Sequence, residues 1–164
     1  MPTAVLGFGN PVRGDDAVGV RVAEQLQTRF GDALADAGVS VFDMGTSAFE
    51  VLFQLRGHDR LRFVDAAVHT GHPVGTVFKV PAAQLEREAT DDPLVFLHAL
   101  KWDQALRYAR QILRDAYPDD VEVYLVAIED TRLDAPMSAD VEAALDRVVE
   151  ALADELELAD VVHD

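Results

Sequence analysis

Ala4-Val5-Leu6-Gly7-Phe8-Gly9-Asn10-Pro11-Val12-Arg13-Gly14-Asp15-Asp16-Ala17-Val18-Gly19-Val20 opens as an apolar run, breaks at a glycine-rich turn, and resumes as a helical pattern behind two adjacent aspartates. That order reads as strand, loop and helix start, with carboxylates at the helix mouth. Gly7 and Gly9 let the backbone turn where a Cβ would obstruct it. Asn10-Pro11 initiates a turn and forbids an early helix. The acid pair has three readings. As an N-cap, Asp15 or Asp16 accepts hydrogen bonds from the N–H groups of the first helical turn. As a dinucleotide loop the stretch fails, because Val12 stands where G-x-G-x-x-G needs its third glycine and two acids would repel a pyrophosphate. As a metal ligand or acid/base, one carboxylate needs partners from elsewhere in the chain.

Outward from this stretch, apolar strands mostly alternate with helices. Residues 3–7 form the first strand, and residues 17–30 a helix with Val18, Val22, Leu26 and Phe30 in line. A second strand covers residues 39–44, a short helix 48–56 and a third strand 61–65, with a loop between the glycines at 31 and 38. A fourth strand at 75–80 follows the third too closely for a crossover helix, so a hairpin-like, antiparallel placement is expected. The longest helix falls within 94–117, where Trp102, Ala105, Leu106, Ala109, Ile112, Leu113 and Ala116 repeat at helical spacing and Pro118 ends it. A fifth strand spans 121–128; Ser138 then caps a final helix burying Val141, Leu145, Val148, Leu152 and Leu156. The alternation predicts an α/β sandwich with a largely parallel sheet. Residues 1–164 are most simply one domain, long enough for a real core.

Hydrophobic residues make up 49% of the chain, yet no apolar run approaches a membrane span, and the N-terminus lacks a basic region followed by an apolar block. A cytoplasmic protein is expected. The absence of cysteine removes disulfides, thiolate metal sites and a cysteine nucleophile together, leaving oxygen and imidazole to hold any metal. The net charge of −16 argues against nucleic acid and anionic membranes as partners. Only Lys79 and Lys101 are lysines, a pattern that suits high salt.

In parallel α/β sheets, ligands sit outside the carboxyl ends of the strands. Asp16 lies in the loop after the first strand, Asp43 ends the second and Asp65 ends the third. Each follows an apolar segment, where an acid is costly unless paired or solvated. His98 stands one turn before Trp102 on the apolar stripe of the long helix. Asp16, Asp65 and His98 together would make an O,O,N site with open positions, suited to a borderline divalent ion such as nickel or zinc. The same aspartates also serve as caps, and a lone histidine on an apolar stripe also serves as a core residue. His69 and His72 are rival imidazoles but read as exposed loop residues, and His58 and His163 as surface ones. Ser47 and Ser138 read as caps, since neither lies in a G-x-S-x-G elbow.

With these residues in place the chain resembles the [NiFe]-hydrogenase maturation proteases, endopeptidases that remove the C-terminal extension of the hydrogenase large subunit. The resemblance runs through Leu6-Gly7-Phe8-Gly9-Asn10 and Gly14-Asp15-Asp16-Ala17-Val18-Gly19, then Asp43-Met44-Gly45-Thr46, Val64-Asp65-Ala66-Ala67, Gly71 to Thr76, and His98-Ala99-Leu100. It implies a three-layer α/β/α sandwich, phosphorylase/hydrolase-like, whose five-stranded, mostly parallel sheet has one antiparallel strand. It implies that Asp16, Asp65 and His98 contact the metal, with Asp16 at a position where the family accepts Glu or Asp. Asp43 matches an acid the family keeps in its loop and joins Asp16 and Asp65 as a catalytic candidate; Met44 departs from the glycine often found there. The resemblance further implies that nickel belongs to the substrate. The protease recognises nickel already inserted in the large-subunit precursor, then cuts. A partial three-ligand site could read that ion without stripping it. The ion would dock the scissile region and polarise a carbonyl or a water, with Asp16 or Asp43 as general base.

The resemblance leads to an aspartic-type, nickel-dependent endopeptidase acting as a monomer on its precursor. A non-catalytic nickel-reading chaperone or scaffold would use the same trio. A nucleotide-binding α/β protein and a spore-protease-like peptidase are the other readings.

Overall fold

The computed structural model describes residues 2–47, 51–84 and 103–158. The first apolar run forms β1 (Thr3–Phe8), buried along its whole length. A single 3-10 turn at Gly14–Ala17 leads into α1 (Val18–Phe30). A short α2 (Asp32–Asp36) fills what the two glycines mark as a loop, and β2 (Val39–Gly45) follows. Next come α3 (Val51–Gly57), β3 (Arg60–Ala67) and β4 (Val77–Pro81). The described part of the long helix is α4 (Asp103–Leu113), extended by a 3-10 turn at Arg114–Ala116 ahead of Pro118. The chain closes with β5 (Asp120–Ala127) and α5 (Ala139–Glu155).

The strands lie in the order β2-β1-β3-β5-β4. The β1–β2, β1–β3 and β3–β5 pairs are parallel, and β4–β5 is antiparallel. The expected mixed sheet is therefore present, with the fourth strand as its antiparallel member. Its neighbour differs from the hairpin expectation. β5 inserts between β3 and β4, so the chain leaves β3, passes the site of β5 and returns along the sheet's edge.

Strand alternation divides the core into two layers. Ala4, Leu6, Phe8, Phe63 and Ala67 face Leu55 of α3 and Leu106 and Ala109 of α4. Val5, Val64 and Ala66 face Val18, Val22, Leu26 and Phe30 of α1, together with Val141, Leu145, Val148 and Leu152 of α5. Among the described residues, the helical stripes read from the sequence are these buried faces except at Ile112 and Ala116, which are both exposed. Ile112 is 62% exposed. Successive helical residues advance by about 100°, so Leu106, Ala109 and Leu113 share a face that Ile112 misses.

Two glycines set the distance between α1 and the sheet. A Cβ on Gly7 would lie 2.1 Å from the Gly19 carbonyl oxygen; one on Gly19 would lie 2.2 Å from the Phe8 oxygen and 2.4 Å from that of Val64. The helix thus rests directly on the backbones of β1 and β3, an approach that any side chain would prevent.

At the amino edge of the sheet, Arg62 is 3% exposed. Its guanidinium meets Glu155 at 2.6 Å and Asp120 at 2.8 Å. The Tyr124 hydroxyl donates to Glu155 at 2.8 Å, and Lys79 reaches both Glu122 and Glu155. Burial and the hydrogen bond to Glu155 push the Tyr124 hydroxyl up to about 12. Burial would raise the Glu155 carboxyl, but hydrogen bonds from Tyr124 and Arg62 and their positive surroundings carry it below its ordinary value. This network joins the end of α5 to β3, β4 and β5, at the opposite end of the sheet from the aspartates read as functional. Among the described residues no helix is long and apolar enough to cross a membrane.

Candidate active site

Three parallel strands bring the aspartates to one edge. Gly7 of β1 pairs with Asp43 on one side and Val64 on the other. Asp65 lies one residue beyond Val64, and β3 continues past it to Ala67, so Asp65 sits inside the strand rather than at its end. Asp16 lies in the 3-10 turn that follows β1.

The turn carrying Asp16 is closely held. Gly9 N–H donates to the Gly45 carbonyl at 2.8 Å, joining the ends of β1 and β2. Asp16 is half-buried, and its Oδ2 accepts from the Asn10 N–H at 3.0 Å. A Cβ on Gly9 would lie 2.0 Å from the Asp16 carbonyl oxygen, and φ there is +145°. Glycine at 9 is therefore required for the loop to close onto Asp16.

The two neighbouring acids play different parts. Asp15 is 1% exposed. Its Oδ1 accepts from Ser138 N–H at 2.7 Å and its Oδ2 from Ser138 Oγ at 3.0 Å. Its own N–H donates to the Asp130 carbonyl at 3.0 Å. Ser138 is the N-cap of α5, accepting from Val141 N–H. The N-cap of α1 is Ala17, without a side-chain cap. The expectation that Asp15 or Asp16 caps its own helix is corrected accordingly. Asp15 instead supports the cap of a helix 123 residues away in sequence, a partner that no local pattern announces.

Asp65 is half-buried, and its Oδ1 accepts from the Ala66 N–H at 2.8 Å. Alternation places it on the face of Phe63 and Ala67, toward α3 and α4. Asp43 is exposed and bonds the Gly45 N–H through Oδ1 at 2.9 Å. Alternation places it with Val39 and Val41, toward α1. Asp43 and Asp65 thus leave the sheet by opposite faces, with β1 between them. His98 lies outside the described residues, as does Trp102. Among the described residues no three His, Asp or Glu side chains gather into a metal-holding group. Asp16 and Asp65 offer oxygen donors on adjoining segments, chemistry that fits a partial site for a divalent ion completed by a further ligand.

His69 and His72 are both exposed in the β3–β4 loop, with His69 at φ +57°. With Thr70, Glu129 and Thr131 they line an open cleft of about 780 Å³ between the carboxyl ends of β3 and β5. The His72 ring stands edge-on to Phe78 at 5.1 Å. Sequence reasoning identified the exposed histidines; the cleft arises because β5 lies beside β3.

Known proteins share this architecture and sequence. The structure of the hydrogenase maturating endopeptidase HybD from E. coli superposes with a TM-score of 0.77 at 24% identity, covering 96% of this chain and 93% of that one. The [NiFe] hydrogenase maturation protease HycI from Thermococcus kodakarensis KOD1 gives 0.73 at 24% identity over 95% and 92%. These likenesses establish the fold. In sequence, the hydrogenase 2 maturation protease of Escherichia coli (strain K12) is 38% identical over 77 residues, 47% of this chain and 45% of that protein. The chain thus matches slightly under half the length of that relative. The profile of the family described as hydrogenase maturation protease, HycI, matches residues 20–155. On that match the chain belongs to the hydrogenase maturation protease family.

Proposed function

We propose that this protein is an endopeptidase that removes the C-terminal extension of a [NiFe]-hydrogenase large-subunit precursor after nickel insertion. The observation that carries the reading is the placement of Asp16 and Asp65 at the carboxyl edge of the adjacent strands β1 and β3, in a member of the maturation protease family. Nickel enters as part of the substrate. Asp16 and Asp65, with His98 as the third ligand, contact the ion carried by the precursor and so align the scissile segment. A carboxylate, Asp16 or Asp43, takes a proton from the water that adds to the scissile carbonyl; the departing amine is protonated as the peptide bond breaks. The backbone bonds to Asp16 and Asp65 hold these side chains in place before substrate arrives, which lowers the reorganisation needed for the reaction. The protein acts as a monomer in the cytoplasm.

The test mixes the large-subunit precursor from the same organism, with and without inserted nickel, with this protein and with its Asp65→Ala variant. Loss of the extension is followed by mass. The expected result is cleavage of the nickel-loaded form alone, abolished in the variant. Binding without cleavage would move the protein to a nickel-reading scaffold. Equal cleavage of both precursors would remove nickel from the mechanism.

A further inference from the structure

β2 and β4 form the two edges of the sheet, and they are finished differently. Ala127 N–H donates to the Thr76 carbonyl, so along β4 the backbone groups of Phe78 and Val80 face β5 and those of Val77, Lys79 and Pro81 face outward. Pro81 offers no N–H there and Lys79 adds a charge, two devices that discourage a further strand. β2 has neither proline nor lysine. Thr3 N–H donates to the Gly38 carbonyl, and the parallel register runs from Thr3↔Val39 to Gly7↔Asp43. Backbone groups alternate sides along a strand, so those of Ser40 and Phe42 bond to β1 while those of Val39, Val41 and Asp43 point away from the sheet. Gln27 Nε2, donating to the Val41 carbonyl at 3.1 Å, comes from the outer side as this alternation requires. Among the described residues, the N–H groups of Val41 and Asp43 meet no acceptor. The row ends at the candidate active site, where Asp43 is exposed and the Gly45 carbonyl accepts from Gly9 of the loop that carries Asp16.

We infer that an extended segment of the precursor, flanking the bond that is cut, adds to the outer edge of β2 as a further strand and bonds the N–H groups of Val41 and Asp43. The inference rests on the maturation-protease reading above. Donors repeated at every second residue of an extended edge match the carbonyls of another extended chain, and main-chain bonds then supply the affinity. A second copy of this protein could offer the same strand, but it would bring together two chains of net charge −16, which repulsion opposes. A precursor segment on β2 is instead led along the edge to Asp43 and the Asp16 loop. Because β2 is already held by β1, docking orders little of this chain.

The experiment measures steady-state cleavage of the nickel-loaded precursor by the wild type, Val41→Pro and Val41→Thr, with thermal unfolding and light scattering of each. Val41→Pro removes the outward N–H and leaves the bonds that Ser40 and Phe42 make to β1. It is expected to raise KM about tenfold, whereas Val41→Thr, which keeps the N–H, retains the wild-type KM. A second measurement on the wild type serves even where the proline variant does not fold. A deuterium pulse given within the first turnover should label residues 39–43 by about two fewer deuterons than in the free protein, with residues 77–81 unchanged. An unchanged KM in folded Val41→Pro, or equal labelling of residues 39–43 while the precursor is cut, overturns the strand addition and leaves the protease reading intact. A wild-type dimer that protects residues 39–43 without precursor assigns the edge to a second copy and overturns it too. If the wild type neither binds nor cuts the precursor, the protease reading fails and the strand addition with it.

Discussion

Replacing Asp15 by alanine tests whether the loop bearing Asp16 depends on a helix far along the chain. Asp15 is 1% exposed and accepts two hydrogen bonds from Ser138. Hydrogen bonds to a charged acceptor contribute about 1.5–3 kcal/mol each. Ser138 is half-buried, so water can replace part of what its N–H and hydroxyl lose. Asp15→Ala is therefore expected to cost roughly 3 kcal/mol. At roughly 2–4 °C per kcal/mol for a chain of this size, Tm should fall by about 6–12 °C. Asp15→Asn retains one acceptor for the Ser138 N–H and should cost about half as much. Ser138→Ala should cost about 1–2 kcal/mol alone, but clearly less in the Asp15→Ala background, because the partners act together. Urea unfolding of the four variants and the wild type provides the comparison. A loss under about 1 kcal/mol for Asp15→Ala, or strict additivity with Ser138→Ala, would refute the clasp as a stabilising contact.

Gly19→Ala places a Cβ 2.2 Å from the Phe8 oxygen and 2.4 Å from that of Val64; neither backbone can retreat, so a loss of about 3 kcal/mol or more is expected in the same unfolding assay. Glu155 has a folded-state pKa below its ordinary 4.5, so its stabilisation is complete above that value and is lost as pH falls through the folded pKa. Glu155→Gln should therefore flatten the acid limb of a stability–pH curve. Tyr124 moves the opposite way, from 10.0 to about 12, so its contribution is complete below pH 10.0 and is lost as pH rises through about 12. Tyr124→Phe should remove that alkaline slope. Asp16→Asn and Asp43→Asn, compared for precursor cleavage, should show a roughly 10²–10⁴-fold fall in kcat in the variant that removes the general base; normal rates in both would exclude either residue from that role.

The first strand, its glycine turn and α1 are legible in sequence because their signals are local. Apolar run, Asn10-Pro11 and the helical line of Val18, Val22, Leu26 and Phe30 sit within one short stretch. Strand four reads correctly as antiparallel because too few residues precede it for a crossover, but its partner does not. That choice depends on β5, contributed after the long helix. That Asp16, Asp43 and Asp65 lie toward the carboxyl edge is legible because each follows an apolar run, whereas the continuation of β2 and β3 past Asp43 and Asp65, and the opposite faces of those two residues, emerge only when the strands are aligned through β1. Asp15 and Asp16 are identical in type and adjacent, so no sequence rule distinguishes the buried clasp from the loop carboxylate. The meeting of the loops after β1 and β5 is equally hidden, since Asp134 N–H and the Val12 carbonyl join them through backbone groups that carry no residue signature.

The contact of α1 with the sheet has a consequence for redesign. Because carbonyl oxygens set the spacing at Gly7 and Gly19, the seat of Asp16 is referenced to main chain rather than to the volumes of surrounding side chains. Val22, Leu26, Phe30 and their partners on α5 can be exchanged for other apolar residues in search of thermostability, with the edge that bears Asp16 keeping its datum. For the engineer, Gly7, Gly9 and Gly19 are fixed points without side chains, and the apolar residues packed beyond them are adjustable.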